Sequence, residues 1–254
     1  CIIYNFAQHY RTNIFTLIDK TFNCGWVFGD AMSDVKKMDY ALLKGCVTES
    51  HTKRLFGGWY WQPKIIAQLF KDYDHYILLG ETRALSTWAF CVLAWLFKPK
   101  KKVYFWSHAW YGKETRIEEL IKKVLFHLPN GGVFCYGNYA RELMIKEGFD
   151  PDKLYTIHNS LAYDKQIEVR KQLQETSVYQ EHFGNDNKNL FFVGRLTSVK
   201  KLDQILKAMV VCRDKGRNYN LTFIGGGEKA EELKRLTRSL GLAFQGQDLS
   251  LIHI

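Results

Sequence analysis

From residue 75 onward, short aromatic and branched runs alternate with longer stretches in which apolar residues recur at helical spacing. Parallel strands need a crossover between them, so a chain patterned this way builds a mostly parallel sheet wrapped by helices. The compact runs HYILL (75–79), VYFW (103–106), VFCY (133–136) and LYTI (154–157) are the predicted strands. Residues 84–97, 116–128 and 138–147 are the predicted helices; the second repeats Ile117, Leu120, Ile121, Val124 and Leu125. Gly148 stands where a helix stop is expected. Upstream the pattern is weaker. It gives strands at 2–4, 26–28 and 46–48, a loop carrying Gln8, His9, Tyr10 and Arg11, and a helix over 63–70 with Pro63 in its first turn.

A polar helical stretch, 164–182, leads into a Gly/Asn/Asp cluster at 184–189 that reads as a domain junction. The pattern then restarts with strand LFFV (190–193), helix 201–215, strand 221–224 and helix 229–240, and Phe244 begins a further strand. The expected organisation is a Rossmann-like unit over 1–163, a linking helix and junction over 164–186, and a second Rossmann-like unit over 187–254. A complete doubly wound domain takes roughly 100–150 residues, so the second unit reads as incomplete. The chain opens on Cys1 rather than Met, which also reads as a piece of a longer protein.

Composition narrows the function classes. With 46% hydrophobic residues a packed core is expected. The six cysteines form no C-x-x-C pair and no zinc spacing, as expected of free thiols in a reducing cytoplasm. The net charge of +10 favours phosphorylated substrates, anionic lipid or nucleic acid. No helix-turn-helix, RRM or zinc pattern supports nucleic acid, which is not an expected partner. The longest apolar run, WAFCVLAWLF (88–97), is about half of the ~20 residues that span a bilayer. Lys98, Lys100, Lys101 and Lys102 follow it directly. Two readings stay open: a core helix with a solvated basic turn, or a face that rests on an anionic membrane.

The segment FFVGRLTSVKKLDQILKAM carries the most chemistry. A buried strand ends in Gly194 and Arg195, and Lys200 follows at the start of a helix. Ligands of open α/β sheets sit beyond the carboxyl ends of strands. A planar guanidinium, an ammonium and a helix N-terminus together suit a diphosphate; the alternative is a solvated basic loop. The segment LTFIGGGEKAEELKRLTRSLGL places Gly225, Gly226 and Gly227 after a strand, letting the backbone approach a ligand or pack closely. Ser107 and His108 end the VYFW strand, where such sheets hold ligands. His9 and Arg11, after the first strand, either meet an acceptor or cap the sheet. Gly57-Gly58-Trp59-Tyr60-Trp61 reads as aromatic core or as a stacking surface for sugar or lipid. Asp72-Tyr73-Asp74 precedes a strand rather than following one, which argues against a metal–diphosphate site.

GRLTSVKKLDQIL followed by FIGGGEKAEELKRLTRSLGL resembles the C-terminal domain of the GT-B glycosyltransferases, in the retaining group called family 4. Lys201 stands where that family commonly has glycine, and the stretch from Leu242 to Phe244-Gln245-Gly246 is shorter than its usual turn and strand. Tyr136-Gly137-Asn138-Tyr139 and Ile157-His158-Asn159-Ser160-Leu161 are similar, more loosely, to family turns, with Ser160 in place of a glycine. The resemblance covers residues 75–246. It implies two Rossmann-like halves facing a cleft and transfer of a sugar, with retention, from a nucleoside-diphosphate sugar to a glycan or lipid-linked acceptor in bacterial surface glycan synthesis. It implies catalytic roles for His108, Arg195 and Lys200, and donor binding by Gly194, Arg195, Lys200, Gly225, Gly226 and Gly227. His9 and Arg11 fall on the acceptor side. No cofactor or metal is expected, since Arg195 and Lys200 supply the positive charge. The family's E-x7-E glutamate pair lies further along than this sequence reaches, so this chain alone is expected to be inactive. The expected location is cytoplasmic, and on the membrane reading of residues 88–102 it is peripheral at the inner face of the plasma membrane. A nucleotide-sugar epimerase or phosphorylase on the same fold, or a basic nucleic-acid-binding protein, are the competing readings.

Overall fold

The computed structural model describes residues 1–30, 35–159, 162–243 and 251–253. Phe244, Gln245 and Gly246, and Ser160 and Leu161, lie outside the described residues. The chain divides into two compact units, Cys1–Lys171 and Gln172–Ile254.

The first unit begins with β1 (Ile2–Tyr4), α1 (Thr12–Thr21), β2 (Gly25–Gly29) and β3 (Cys46–Ser50). A small antiparallel hairpin, β4 (Lys53–Arg54) and β5 (Tyr60–Trp61), leads to α2 (Lys64–Gln68). Then come β6 (His75–Leu79), α3 (Leu85–Phe97), β7 (Lys102–Ser107), α4 (Arg116–His127), β8 (Gly132–Cys135), α5 (Asn138–Lys146) and β9 (Leu154–Thr156). A polar helix, α6 (Tyr163–Gln172), runs up to the division between the units. Seven strands form one parallel sheet in the order β3-β2-β1-β6-β7-β8-β9. The connections lead away from β1 on both sides, so the topological switch falls between β1 and β6.

Alternation along the strands sorts their side chains into two cores. Ile3, Leu78, Phe105 and Val133 face Ile65 of α2 and Leu69 just after it, Phe90 and Ala94 of α3, Leu125 and Phe126 of α4 and Met144 of α5. Ile2, Tyr4, Trp26, Phe28 and Trp106 face Phe15 of α1. Residues 12–21, which the sequence pattern left without an element, are thus a helix. Thr and Ile at alternating positions weaken its helical signature, but burying Phe15 and Asp19 overrides that. The Asp19 carboxylate accepts from Trp26 Nε1 at 2.6 Å and from the backbone N–H of Lys44 at 2.5 Å and Gly45 at 3.1 Å, tying α1 to the edge of the sheet.

Helix α4 starts in a capping box between Thr115 and Glu118. Its Leu125 and Phe126 point inward, while Ile117, Leu120 and Val124 are exposed.

The second unit holds α7 (Val178–Phe183), β10 (Lys188–Val193), α8 (Leu202–Asp214), β11 (Tyr219–Ile224), α9 (Ala230–Ser239) and β12 (Leu251–His253). Strands β10 and β11 are parallel, and β12 is antiparallel to β11. Leu202, Leu206 and Met209 of α8 pack with Leu233 of α9 against Leu221, Phe223 and Leu196. In the junction, Asn220 Nδ2 donates to the side-chain oxygens of Asn185 and Asn189 at 3.0 and 2.9 Å. The strand ending at Gly194 is not buried as expected: Phe191 and Val193 are exposed. Among the described residues β10 pairs only with β11, and both α8 and α9 pack with Phe192, whose side chain points the other way.

Candidate active site

At the carboxyl ends of β1, β6, β7 and β8 the first unit opens onto a cavity of about 390 Å³. It lies at the topological switch, where open α/β sheets hold their ligands. Arg11 reaches it from the turn after β1, Glu81 from the turn after β6, His108 from the end of β7 and Tyr136 from the end of β8.

The backbone fixes His108. The next residue, Ala109, is buried and takes a φ of 55°, a left-handed conformation that L-residues other than glycine seldom adopt. Ser107 Oγ donates to the Gly80 carbonyl at 2.8 Å and accepts from the Ala109 N–H at 3.1 Å. Lys122 Nζ donates to the Ala109 carbonyl at 2.8 Å and is paired with Glu114 at 2.7 Å. The His108 ring meets Tyr136 edge-on, centroids 4.3 Å apart, and stacks near Tyr111 at 5.8 Å. Burial, and then the charge of Arg11, push the imidazole pKa below its ordinary 6.5. His108 is therefore neutral at pH 7, one ring nitrogen a donor and the other an acceptor.

Arg11 packs its guanidinium against Tyr4, Trp106 and Tyr136, at 5.2, 5.5 and 5.6 Å from the ring centroids. Its Nη2 donates to the Tyr136 hydroxyl at 2.6 Å. His9 sits apart on the surface, its Nδ1 3.1 Å from the Lys36 carbonyl oxygen, and does not line the cavity. Glu81 accepts from the Tyr60 hydroxyl at 2.8 Å. Burial, followed by the Glu81 charge, pushes the Tyr60 phenol far up, so it stays a donor. Thr82, Tyr111 and Lys122 also border a second cavity of about 480 Å³, on whose wall Trp59 and Arg83 stand. The Gly57–Trp61 segment thus supplies both a cavity wall and the partner of Glu81.

In the second unit two turns lie side by side. Gly194 N–H donates to the Ile224 carbonyl at 2.9 Å, and Leu196 N–H to the Gly226 carbonyl at 2.8 Å. A Cβ on Gly225 would stand 2.1 Å from the Gly194 carbonyl oxygen, and one on Gly227 2.4 Å from that of Leu196. Close backbone packing therefore accounts for Gly225 and Gly227. Arg195 and Lys200 emerge from this platform exposed, with no side-chain partner among the described residues. Lys200 closes a 3-10 turn, Ser198–Lys200, two residues ahead of α8. Lys201, where glycine was expected, has a φ of 50°.

Glu81 and the Lys122–Glu114 pair were not singled out from the sequence, and Tyr60 and Tyr136 entered only as members of an aromatic run and of a turn. Glu81 follows a strand end as His108 does, so the rule that found one was available for the other. No cluster of three or more metal-ligating side chains occurs among the described residues.

Residues 174–246 match the family model of glycosyl transferases group 1. A curated relative from Haemophilus influenzae, described as an uncharacterized glycosyltransferase, is 39% identical over 57 residues, 22% of this chain and 16% of that protein. Among solved structures the fold is similar to the lipopolysaccharide outer core galactosyltransferase WaaB in its apo form, with 16% identity and a TM-score of 0.58 over 95% of this chain and 64% of that one. It is also similar to Anabaena Alr3699/HepE in complex with UDP, at 12% identity and a TM-score of 0.61, covering 95% and 66% of the two chains. A third similar structure is UDP-GlcNAc 2-epimerase from Neisseria meningitidis bound to UDP-GlcNAc, at 13% identity and a TM-score of 0.53, covering 98% and 73%. At such identities the likeness is one of fold. The chain spans 16% of the curated relative's length and about two thirds of the WaaB and HepE chains.

Proposed function

We propose that this chain, whose residues 174–246 match the family model of glycosyl transferases group 1, binds a nucleoside-diphosphate sugar and takes part in moving the sugar, with retention, to an acceptor hydroxyl of a bacterial surface glycan. The observation that carries this reading is the glycine-built platform of the second unit, from which Arg195 and Lys200 emerge with no acid partner among the described residues. Departure of a diphosphate builds negative charge on its oxygens. A guanidinium fork and an ammonium stabilise that charge more as the bond breaks than before, which lowers the barrier. These two cations do the work of a divalent ion, so the reaction needs none. In the first unit, neutral His108 hydrogen-bonds the sugar and the cavity around it holds the acceptor.

The test is binding of UDP, GDP and ADP by calorimetry, with Arg195→Ala and Lys200→Ala each expected to weaken the preferred diphosphate about tenfold or more, since a charge-assisted contact is worth about 1.5–3 kcal/mol. Binding and turnover are expected to survive EDTA. Undiminished binding in both variants removes the proposed role. The same fold carries UDP-GlcNAc 2-epimerases, so nucleotide sugar is also supplied without acceptor: an isomerised donor sugar selects epimerase chemistry instead.

The protein works at the cytoplasmic face of a membrane that it touches peripherally. Val92, Trp95, Leu96 and Phe97 of α3 are exposed, Trp95 at 72%. Lys98, Lys100 and Lys102 follow without acid partners among the described residues. Such a face suits the boundary between acyl chains and anionic headgroups. No helix among the described residues is long and apolar enough to cross a membrane.

A further inference from the structure

We propose that the cavity at the ends of β1, β7 and β8 holds an anionic sugar, a uronic acid or a sugar phosphate, with its charged group on the Arg11 guanidinium. This deepens the acceptor reading of that cavity and rests on it.

Arg11 is a cation without a counter-ion among the described residues. The only hydrogen bond the Arg11 side chain makes among the described residues is from Nη2 to the Tyr136 hydroxyl, and no carboxylate there lies within ion-pair distance. Its Nε is buried and unpartnered. The rings of Tyr4, Tyr10, Trp106 and Tyr136 enclose the guanidinium within 5.2–6.0 Å. Their faces return about 0.5–2 kcal/mol of cation–π attraction each. They also displace the water that would solvate the charge, and an unpaired, half-buried cation is costly.

The neighbours leave that charge unbalanced. Lys122, on the same wall, is already neutralised by Glu114. His108 feels the positive potential of Arg11 and is uncharged at neutral pH. Glu81 lines the same cavity but takes the Tyr60 hydroxyl as its partner, and its second oxygen is left for another donor. The cavity therefore offers one uncompensated cation, one carboxylate acceptor and aromatic walls. A sugar bearing both an anionic group and free hydroxyls answers all three, and a volume of about 390 Å³ lies within the range of small-molecule sites. An arginine placed only for packing would be expected to have an acid beside it.

The chain is titrated by calorimetry with methyl β-D-glucuronide, glucose 6-phosphate and the neutral methyl β-D-glucoside, and the His108 ring protons are followed by NMR. At least one anionic sugar is expected to bind about tenfold or more tighter than the glucoside, the size of one charge-assisted contact. Which of the two binds better tells carboxylate from phosphate. The bound anion is expected to raise the His108 pKa, because a nearby negative charge favours imidazolium, while the glucoside leaves it in place. Arg11→Gln is expected to bring the anionic sugars within about twofold of the neutral one, and Arg11→Lys to keep part of the preference. The proposal is overturned by equal affinities in the wild type, by no binding of either anionic sugar at millimolar concentration, or by a preference that survives Arg11→Gln. Should Arg11→Gln fail to fold, the wild-type affinities and the His108 titration decide. Diphosphate binding at Arg195 and Lys200 is scored separately. Its success without an anion preference sinks this subsite alone, and its failure beside a clear preference sinks the transferase reading.

Discussion

Ala109 stores backbone strain of about 1–2 kcal/mol beside His108, the usual cost of a left-handed alanine. The strain persists because Lys122 holds its carbonyl while Glu114 holds Lys122. Glu114 is the keystone. Burial alone would raise its pKa, but hydrogen bonds from Lys122 and the Tyr111 N–H, with the Lys122 charge, bring it down to about 2 from 4.5. Its ionised form therefore favours the folded state. That stabilisation is complete above the unfolded value of 4.5 and is lost as pH falls toward 2. The shift corresponds to about 3 kcal/mol at pH 7, and roughly half of that is gone by pH 3. The side chain is only 7% exposed, so solvent screens little of it. Glu114→Gln is accordingly expected to destabilise the fold by about 3 kcal/mol in urea melts at pH 7. The gap between variant and wild type is expected to shrink by about half at pH 3. A gap of equal size at both pH values would show that the pair contributes packing rather than charge.

At the scale of elements, the turn before α8 offers a paired test. Lys201 occupies a left-handed position that glycine adopts without steric cost. Lys201→Gly is expected to stabilise the second unit by about 0.5 kcal/mol, strain relief being partly offset by the entropy of the unfolded chain. Gly225→Ala is expected to cost more than about 2 kcal/mol, because its φ of 138° is strained for alanine and its Cβ would collide with the Gly194 carbonyl. Thermal melts rank the three proteins, and a Gly225→Ala protein that melts like the wild type would refute the close packing of the two turns. The glycine at Gly225 was legible in the sequence because only glycine tolerates such an approach. The compact runs of β6 and β7 were legible too, since buried parallel strands have little polar interruption. Helix α1 was not, because branched residues blur its period and its reward, burial of Phe15 and Asp19, comes from partners outside the helix. For the candidate site, strand-end logic proposed His108 and Arg195. It could not pair Arg11 with Tyr136, 125 residues apart, since that contact follows from strand order. Short motifs do not state strand order.

At the scale of the whole molecule, one run of unpartnered apolar surface lies on the helices that cover one side of the first sheet. Besides Val92, Trp95, Leu96 and Phe97 of α3, the outward side of α4 exposes Ile117, Leu120 and Val124. The lysines after α3 are not equivalent. Lys101 turns inward, donating to the Lys71 carbonyl and the Tyr76 hydroxyl at 2.6 and 3.1 Å. Lys98 lies over the exposed Phe70 ring, 5.8 Å from its centroid. In the proposed membrane contact Lys98, Lys100 and Lys102 are the cations that would meet headgroups, each worth about 1 kcal/mol near an anionic surface. A bland solvated turn would respond to salt and lipid charge no more than the rest of a basic protein, so the discriminating variants are apolar. Co-sedimentation with phosphatidylglycerol vesicles is expected for the wild type and not with phosphatidylcholine, and it should weaken as salt shortens the screening length below about 8 Å. Trp95→Asp with Leu96→Asp is expected to abolish sedimentation while leaving the proposed diphosphate binding at Arg195 and Lys200 unchanged, because those groups belong to the other compact unit. Replacing Lys100 and Lys102 by glutamine is expected to weaken it by about tenfold or more, as the loss of two such charges requires. If the double aspartate variant still sediments with anionic vesicles, the attraction is the diffuse one of a chain with net charge +10, and the α3 face is not what holds the protein to lipid.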